Sequence, residues 1–258
     1  MLRGLGYDLN LKENQGEPEN GLNSLVDQDG FSSVISAFSS SSISSKKWQL
    51  NVGLNSLLFT LNNSFALEPR LGLNYQLNDK NKISLGYGLH SRMEPLNIYL
   101  AHTGNSSSNQ ANRNLDFSKA HHFIIAFDWN INEKLHLKVE PYFQYLFNIP
   151  VIENSTESLI NLQNDWFIND TYANNGKGRN YGLDLTLEQY VNNGFYYLLS
   201  GSIFNSEYKT DTNIWYNTRF NKNYLLNTLV GKEFRIGKKK QGLLGINLKL
   251  SLQGGDRY

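Results

Sequence analysis

FALEPRLGLNYQLNDKNKISLGYGL, running from Phe65 to Leu89, decides the fold class of this chain. Its first arm places Phe65, Leu67, Pro69, Leu71, Leu73, Tyr75 and Leu77 on one face. Ala66, Glu68, Arg70, Gly72, Asn74 and Gln76 take the other. The second arm sets Ile83, Leu85, Tyr87 and Leu89 against Ser84, Gly86, Gly88 and, just beyond the stretch, His90. A repeat of two is that of a strand, whose successive side chains point to opposite faces. Residues 78–82 between the arms are Asn, Asp and Lys, which suit a tight turn. The two arms therefore form a hairpin with one apolar and one polar face.

The same alternation spreads in both directions. Upstream, Trp48, Leu50, Val52 and Leu54 oppose Gln49, Asn51, Gly53 and Asn55. Downstream, Phe123, Ile125, Phe127, Trp129 and Ile131 form one stripe, and Leu135, Leu137, Val139, Pro141, Phe143 and Tyr145 the next. Tyr181, Leu183, Leu185 and Leu187 oppose Gly182, Asp184, Thr186 and Glu188. Leu244, Ile246, Leu248, Leu250 and Leu252 form the last stripe. Residues 31–42, 195–205 and 224–236 read as strands of weaker pattern. The expectation is an all-β, antiparallel up-and-down sheet of about ten strands with no convincing helix.

The connections alternate in length, except that the link near Asn62 to Ser64 is short where a long loop is due. Short turns fall at residues 42–46, 78–82, 132–134, 192–194 and 237–241. Long polar loops are expected at 96–116, 148–178 and 206–223, with a further polar stretch at 11–30. Residues 1–30 are expected to be a surface loop or strand remnant, and 31–258 the sheet itself.

Alternation alone does not separate a soluble sandwich or lipocalin-like barrel from a transmembrane barrel. Three details favour the membrane. The runs reach roughly 10–13 residues, where soluble strands cluster near 5–6 and a tilted spanning strand needs about 9–11. Tidy turns at one end and long loops at the other are the outer-membrane arrangement. Trp48, Tyr75, Trp129, Tyr190, Phe195 and Phe234 sit beside the short turns, where amphipathic rings would meet the bilayer–water boundary. The apolar stripe then faces lipid and the Gly/Asn/Gln/Ser stripe a hydrated lumen.

Composition agrees. Charged residues are 18% of the chain, below the roughly 25% usual for soluble proteins. The net charge of +1 gives no field for nucleic acid. There is no cysteine, so neither disulfides nor Cys-based metal sites can form. No run approaches the roughly 18 apolar residues of a spanning helix. Met1 to Gly6 contain no apolar stretch of signal-peptide length.

Several stretches resemble the barrel of TonB-dependent receptors of the Bacteroidetes group. They are FTLNNSFALEPRLGLNYQLNDKNKISLGYGLHSRMEPL (from Phe59), YFQYLFNIPV (from Tyr142), GRNYGLDLTLEQYVNNGFYYLLSGSIFNSEYK (from Gly178), LVGKEFRIG (from Leu229) and the closing GGDRY. The resemblance implies the later strands of a 22-stranded, plugged barrel in the outer membrane of a Gram-negative bacterium. It implies outer-membrane lipid, a plug domain, TonB and an unknown bulky nutrient as partners. No segment here resembles the plug, none near Met1 resembles a TonB contact, and no amphipathic strand follows GGDRY. The chain is accordingly expected to be a fragment that alone forms an open curved sheet, with edges near Phe31 and Leu252. The competing class is a small independent barrel with a structural or adhesive surface role.

Neither a catalytic motif nor a cofactor site is expected. G-x-S-x-G, P-loop and zinc-helix patterns are absent, and no motif surrounds the five His residues. His121 and His122 are adjacent and should point to opposite faces, the wrong geometry for a shared metal. Asp27 and Asp29 lack the remaining positions of a calcium loop. Glu68, Arg70, Arg92, Glu94, Lys138 and Glu140 fall on polar faces and are expected to line the lumen, as a charge ladder or toward a plug. Trp166, Tyr172, Trp215 and Tyr216 lie in long loops, where they would either grip a ligand or pack the loops together.

Overall fold

A computed structural model describes residues 2–13, 23–102, 110–161, 170–212, 214–239 and 241–257. The strands are β1 (Leu2–Glu13), β2 (Asn23–Ser44), β3 (Trp48–Phe59), β4 (Ser64–Gln76), β5 (Asn81–Arg92) and β6 (Ser118–Asn132). They continue as β7 (Leu135–Val151), β8 (Ala173–Asn192), β9 (Phe195–Lys209), β10 (Tyr216–Asn217), β11 (Tyr224–Ile236) and β12 (Gly242–Gln253). All twelve form one antiparallel sheet, each strand beside its sequence neighbour except that β11 pairs β9 directly and the two-residue β10 caps β9. β1 and β12 are the two edges, so the sheet is open as expected.

Alternation became two faces. Leu67, Leu71, Leu85, Ile125, Leu183 and Leu248 are among the large apolar residues exposed on the outward face. Trp48, Tyr75, Trp129, Tyr190, Phe195 and Phe234, beside the short turns, are exposed as well. Among the described residues no helix is long and apolar enough to cross a membrane.

The short turns follow local chemistry. Asn193 and Gly194 both have positive φ, 51° and 79°, as a two-residue I′ hairpin requires. A Cβ on Gly194 would lie 2.3 Å from the Glu233 carbonyl oxygen, so glycine is required twice over. The prolines shape the ladders instead. β4 pairs β5 from Gln76↔Lys82 up to Arg70↔Gly88 and stops short of Pro69, which has no N–H to give. Likewise the β6–β7 ladder lapses between Ile124↔Tyr142 and Phe127↔Val139, around Pro141. Above Pro69, β4 and β5 are no longer paired.

Several expectations need correction. The described residues form twelve strands against the ten or so expected: Leu2–Glu13 is a full strand and the two-residue β10 adds another, while β2 starts earlier, at Asn23. The loop expected over residues 11–30 is correspondingly shorter, and the first edge is β1 rather than Phe31. Strands β7, β8 and β9 are longer than expected, taking residues assigned to the loops at 148–178 and 206–223. The loop at 96–116 contains helix α1 (Leu96–Leu100) and a 3-10 turn, Ala111–Asn114.

The buried core sits at the loop end, on the inward face. Phe59 and Ala66 of β3 and β4, Val26 of β2, Ile98, Tyr99 and Leu100 of α1, and Leu115 and Phe117 are all buried there together. Leu159 and Tyr172 from the β7–β8 connection complete it. Leu5, Tyr7 and Leu9 pack against it from β1. The β1–β2 hairpin is therefore polarised oppositely to the wall. Leu5, Tyr7 and Leu9 of β1 turn to the core, whereas Gly4, Gly6 and Asp8 are exposed on the other face beside Phe31. It pairs only with the part of β2 from Asn23 to Ile35, whereas β3 pairs β2 from Val34 downward, so the hairpin projects beyond the top of β3.

Candidate functional site

Inward-facing charges and the loop mouth are the two places where polar chemistry collects. The six charges expected on the lumen face form three pairs, each between residues two apart in the chain: two within β4 and β7, and one between Arg92 at the end of β5 and Glu94 just beyond it. Arg70 Nη2 lies 3.1 Å from Glu68 Oε2, Arg92 Nη2 3.2 Å from Glu94 Oε2, and Lys138 Nζ 2.7 Å from Glu140 Oε1. In extended chain a spacing of two puts both partners on one face. The pairs run along the strands and not across them. Asp128 makes the cross-strand contacts, 3.3 Å to Lys82 and 3.3 Å to His136.

Glu68 and Glu94 are the buried members, 2% and 3% exposed. Glu68 bridges the gap where β4 and β5 part. Its Oε1 accepts the Ser91 backbone N–H at 2.6 Å, and Oε2 accepts Asn55 Nδ2 at 2.8 Å. Glu94 accepts the Ser118 hydroxyl at 2.6 Å, and its own N–H donates to the Tyr99 hydroxyl oxygen at 3.1 Å. Burial pushes the Tyr99 phenol up to about 12. Glu94, Arg92, Ser118 and His90 help line a cavity of about 210 Å³ under the loops. Glu140, Tyr142, Gln144 and Asp184 border a second, of about 360 Å³, on the same face.

Asparagines hold the loops. Asn112, fully buried, donates Nδ2 to the Asp170 carbonyl at 2.9 Å and accepts the Tyr172 N–H at 2.8 Å. Asn62 donates to the carbonyls of Arg113 and Leu115. Asn174 accepts the Asp116 N–H and donates to the carbonyl of Asn148. Asn221 donates to both Asn205 and Asn217. Sequence reasoning missed these clamps, because most of them join segments far apart in the chain.

Of the four aromatic loop residues, the structure brings two together. Trp215 stacks on the Arg179 guanidinium, 4.2 Å from the ring centroid, with Lys209 Nζ at 5.4 Å. Tyr216 pairs Tyr208 in register, with ring centroids 5.8 Å apart. Both line a cleft of about 770 Å³ with Asn161, Arg219 and Arg257. Arg219 and Arg257 carried no sequence signal. They reach the cleft through hydrogen bonds to Asn161 and to the Asn221 carbonyl. Tyr172 is elsewhere, 8% exposed within the core. Trp166 lies outside the described residues.

His121 and His122 point to opposite faces. The first lies 3.1 Å by Nδ1 from the Tyr87 hydroxyl, and the second packs its ring 4.6 Å from that of His90. Among the described residues no group of three or more His, Cys, Asp or Glu could hold a metal.

A wall of long antiparallel strands, apolar outside and charge-paired inside, with turns at one end and folded loops at the other, is the architecture of an outer-membrane β-barrel. No family profile and no curated protein matches the chain. Solved structures do. The FrpB iron transporter from Neisseria meningitidis (F3-3 variant) superposes with a TM-score of 0.57 at 12% identity, over 80% of this chain and 31% of that one. The alcaligin outer-membrane receptor FauA from Bordetella pertussis gives 0.56 at 14%, over 87% and 38%. The ferripyoverdine receptor of the outer membrane of Pseudomonas aeruginosa gives 0.59 at 13%, over 86% and 31%. The fold is thus that of the barrel part of TonB-dependent outer-membrane receptors, and the chain spans about a third of their length.

Proposed function

We propose that this chain forms barrel wall and ligand-facing loops of an outer-membrane receptor, which takes up a bulky nutrient with energy supplied through TonB. The observation that carries this reading is the opposition of two faces on one sheet. Exposed Leu, Ile, Phe and Trp cover the outside, whereas Glu68–Arg70, Arg92–Glu94 and Lys138–Glu140 pair on the inside. Only lipid outside and a hydrated or plugged lumen inside accommodate both. The inward pairs would meet a plug domain, and the Trp215–Tyr216 cleft would meet the nutrient. The role is one of binding and passage, not catalysis.

The absence of native cysteine makes the test direct. Glu153→Cys places a thiol in the exposed β7–β8 connection, and Asp79→Cys places one in the β4–β5 turn. In intact Gram-negative cells a membrane-impermeant maleimide should label the first, and the second only after the outer membrane is permeabilised. Equal labelling of both, or recovery of folded chain without detergent, would contradict the proposal.

A further inference from the structure

Two arginines in the cleft of about 770 Å³ are held in place without being neutralised. The Arg257 N–H donates to the Arg219 carbonyl at 3.1 Å, which sets the two residues side by side. Arg219 Nη1 donates to the Asn161 carbonyl at 3.3 Å. Arg257 donates Nε to the Asn221 carbonyl at 3.2 Å and Nη2 to Asn223 Oδ1. Every one of these acceptors is neutral. Among the described residues neither guanidinium has a carboxylate partner. The neighbouring acids are taken: Asp256 pairs Lys222 at 3.0 Å, and Glu207 pairs Arg179 at 2.6 Å. Glu157 is close enough to act on the Tyr208 phenol, but it is exposed to water. Arg219 is half-buried, and a charge withdrawn from water is ordinarily paired.

The remaining donors say what the pair accepts. With Nη1 engaged, Arg219 keeps Nε–H and Nη2–H, two parallel donors whose spacing matches the two oxygens of a carboxylate. Arg257 keeps Nη1. Beside them the cleft is aromatic. Tyr208 stands opposite Gly178, one step from Arg179 and so on the inward face, and Tyr216 packs on its ring. The Tyr208 hydroxyl is held by the Thr156 carbonyl at 2.8 Å, which fixes the ring pair. Asn217, whose Oδ1 accepts from Asn221, has its Nδ2 to offer a hydroxyl group at the rim. The volume lies in the range of sites that enclose small organic ligands. Charge for a carboxylate, a ring for stacking and an uncharged amide for hydroxyls are thus collected in one place.

We infer that the ligand of this cleft is an oligosaccharide whose sugar rings carry carboxylates. One carboxylate would seat on Nε and Nη2 of Arg219, with Arg257 Nη1 beside it. The C–H face of the adjoining ring would lie on Tyr216, and its hydroxyls would reach Asn217. The inference rests on the receptor reading proposed above and names the ligand class of the same cleft.

The test is calorimetric titration of the full chain, inserted in phosphatidylcholine vesicles, with trigalacturonate and with its fully methyl-esterified form. The ester keeps the rings and hydroxyls and removes the charge. The wild type should bind the acid more tightly by on the order of tenfold, as one hydrogen-bonded charge pair gives. Arg219→Gln should bring the two affinities to near parity. Arg257→Gln should narrow the difference only in part, since most of that guanidinium is already engaged. If either variant fails to fold, the comparison of acid with ester on the wild type still decides. Equal binding of both by the wild type would overturn the inference and leave the cleft a ligand site, so the receptor reading would stand. A preference that a folded Arg219→Gln leaves intact would overturn the inference too, as would no binding of either probe. Displacement of the acid by an equal concentration of inorganic phosphate would make this a site for any small anion and also overturn it. The receptor reading fails separately, by the thiol labelling described above.

Discussion

Glu68→Ala should be among the most damaging single changes in the wall, and Arg70→Ala among the mildest, although the two residues form one ion pair. Arg70 is half-exposed, so its pairing contributes less than about 1 kcal/mol. Glu68 is buried and carries two further bonds, from Ser91 N–H at 2.6 Å and Asn55 Nδ2 at 2.8 Å. The Ser91 N–H has no β4 carbonyl in reach, because the β4–β5 ladder ends at Arg70↔Gly88. A buried donor left unsatisfied costs about 1–3 kcal/mol, and each hydrogen bond to a charged group contributes about 1.5–3. Allowing for overlap, Glu68→Ala is expected to cost about 3–5 kcal/mol and Glu68→Gln, which keeps one acceptor oxygen, about half that. Reversible urea unfolding in lipid vesicles, followed by tryptophan fluorescence, measures all three. Equal losses for Glu68→Ala and Arg70→Ala would show that the ion pair and not the strand bridge matters. A loss below 1 kcal/mol for Glu68→Ala would refute the bridge outright.

The lipid-facing stripe predicts that Leu85→Arg or Leu248→Arg costs about 2–4 kcal/mol at mid-membrane, whereas Asn247→Asp on the inward face is mild, as the same unfolding experiment would read. Tyr99 is raised to about 12 in the folded chain against 10 unfolded, so its contribution is intact below pH 10 and is lost as pH rises toward 12. Tyr99→Phe should orphan the Glu94 N–H, costing about 1–3 kcal/mol, and should flatten the fall in stability between those two pH values. Gly194→Ala should cost about 1–2 kcal/mol from the positive φ alone, and more from the Glu233 carbonyl, read as a lowered urea midpoint with the same slope.

The alternation of Phe65–Leu89 was enough to establish strands, faces and turns, because a strand's side-chain direction depends only on position along the chain. Tight turns were legible for the same reason, since Asn193–Gly194 carries its backbone geometry in two residues. The pairing of Glu68 with Arg70 and of Lys138 with Glu140 follows from the same periodicity, since residues two apart on a strand share a face. β1 was not set apart, although Leu5, Tyr7 and Leu9 alternate with Gly4, Gly6 and Asp8. Leu5, Tyr7 and Leu9 pack against the buried cluster under the loops, which only the folded structure reveals. Tertiary structure alone decided that Tyr172 is core while Trp215 lies on Arg179, and that Arg219 and Arg257 meet across the cleft. It also decided that Lys177 faces Lys209. Register between strands is set by every ladder and bulge along their length, and loop packing by contacts between residues some 60 positions apart, such as Asn112 with Tyr172. Neither leaves a trace in a window short enough to be read as a pattern.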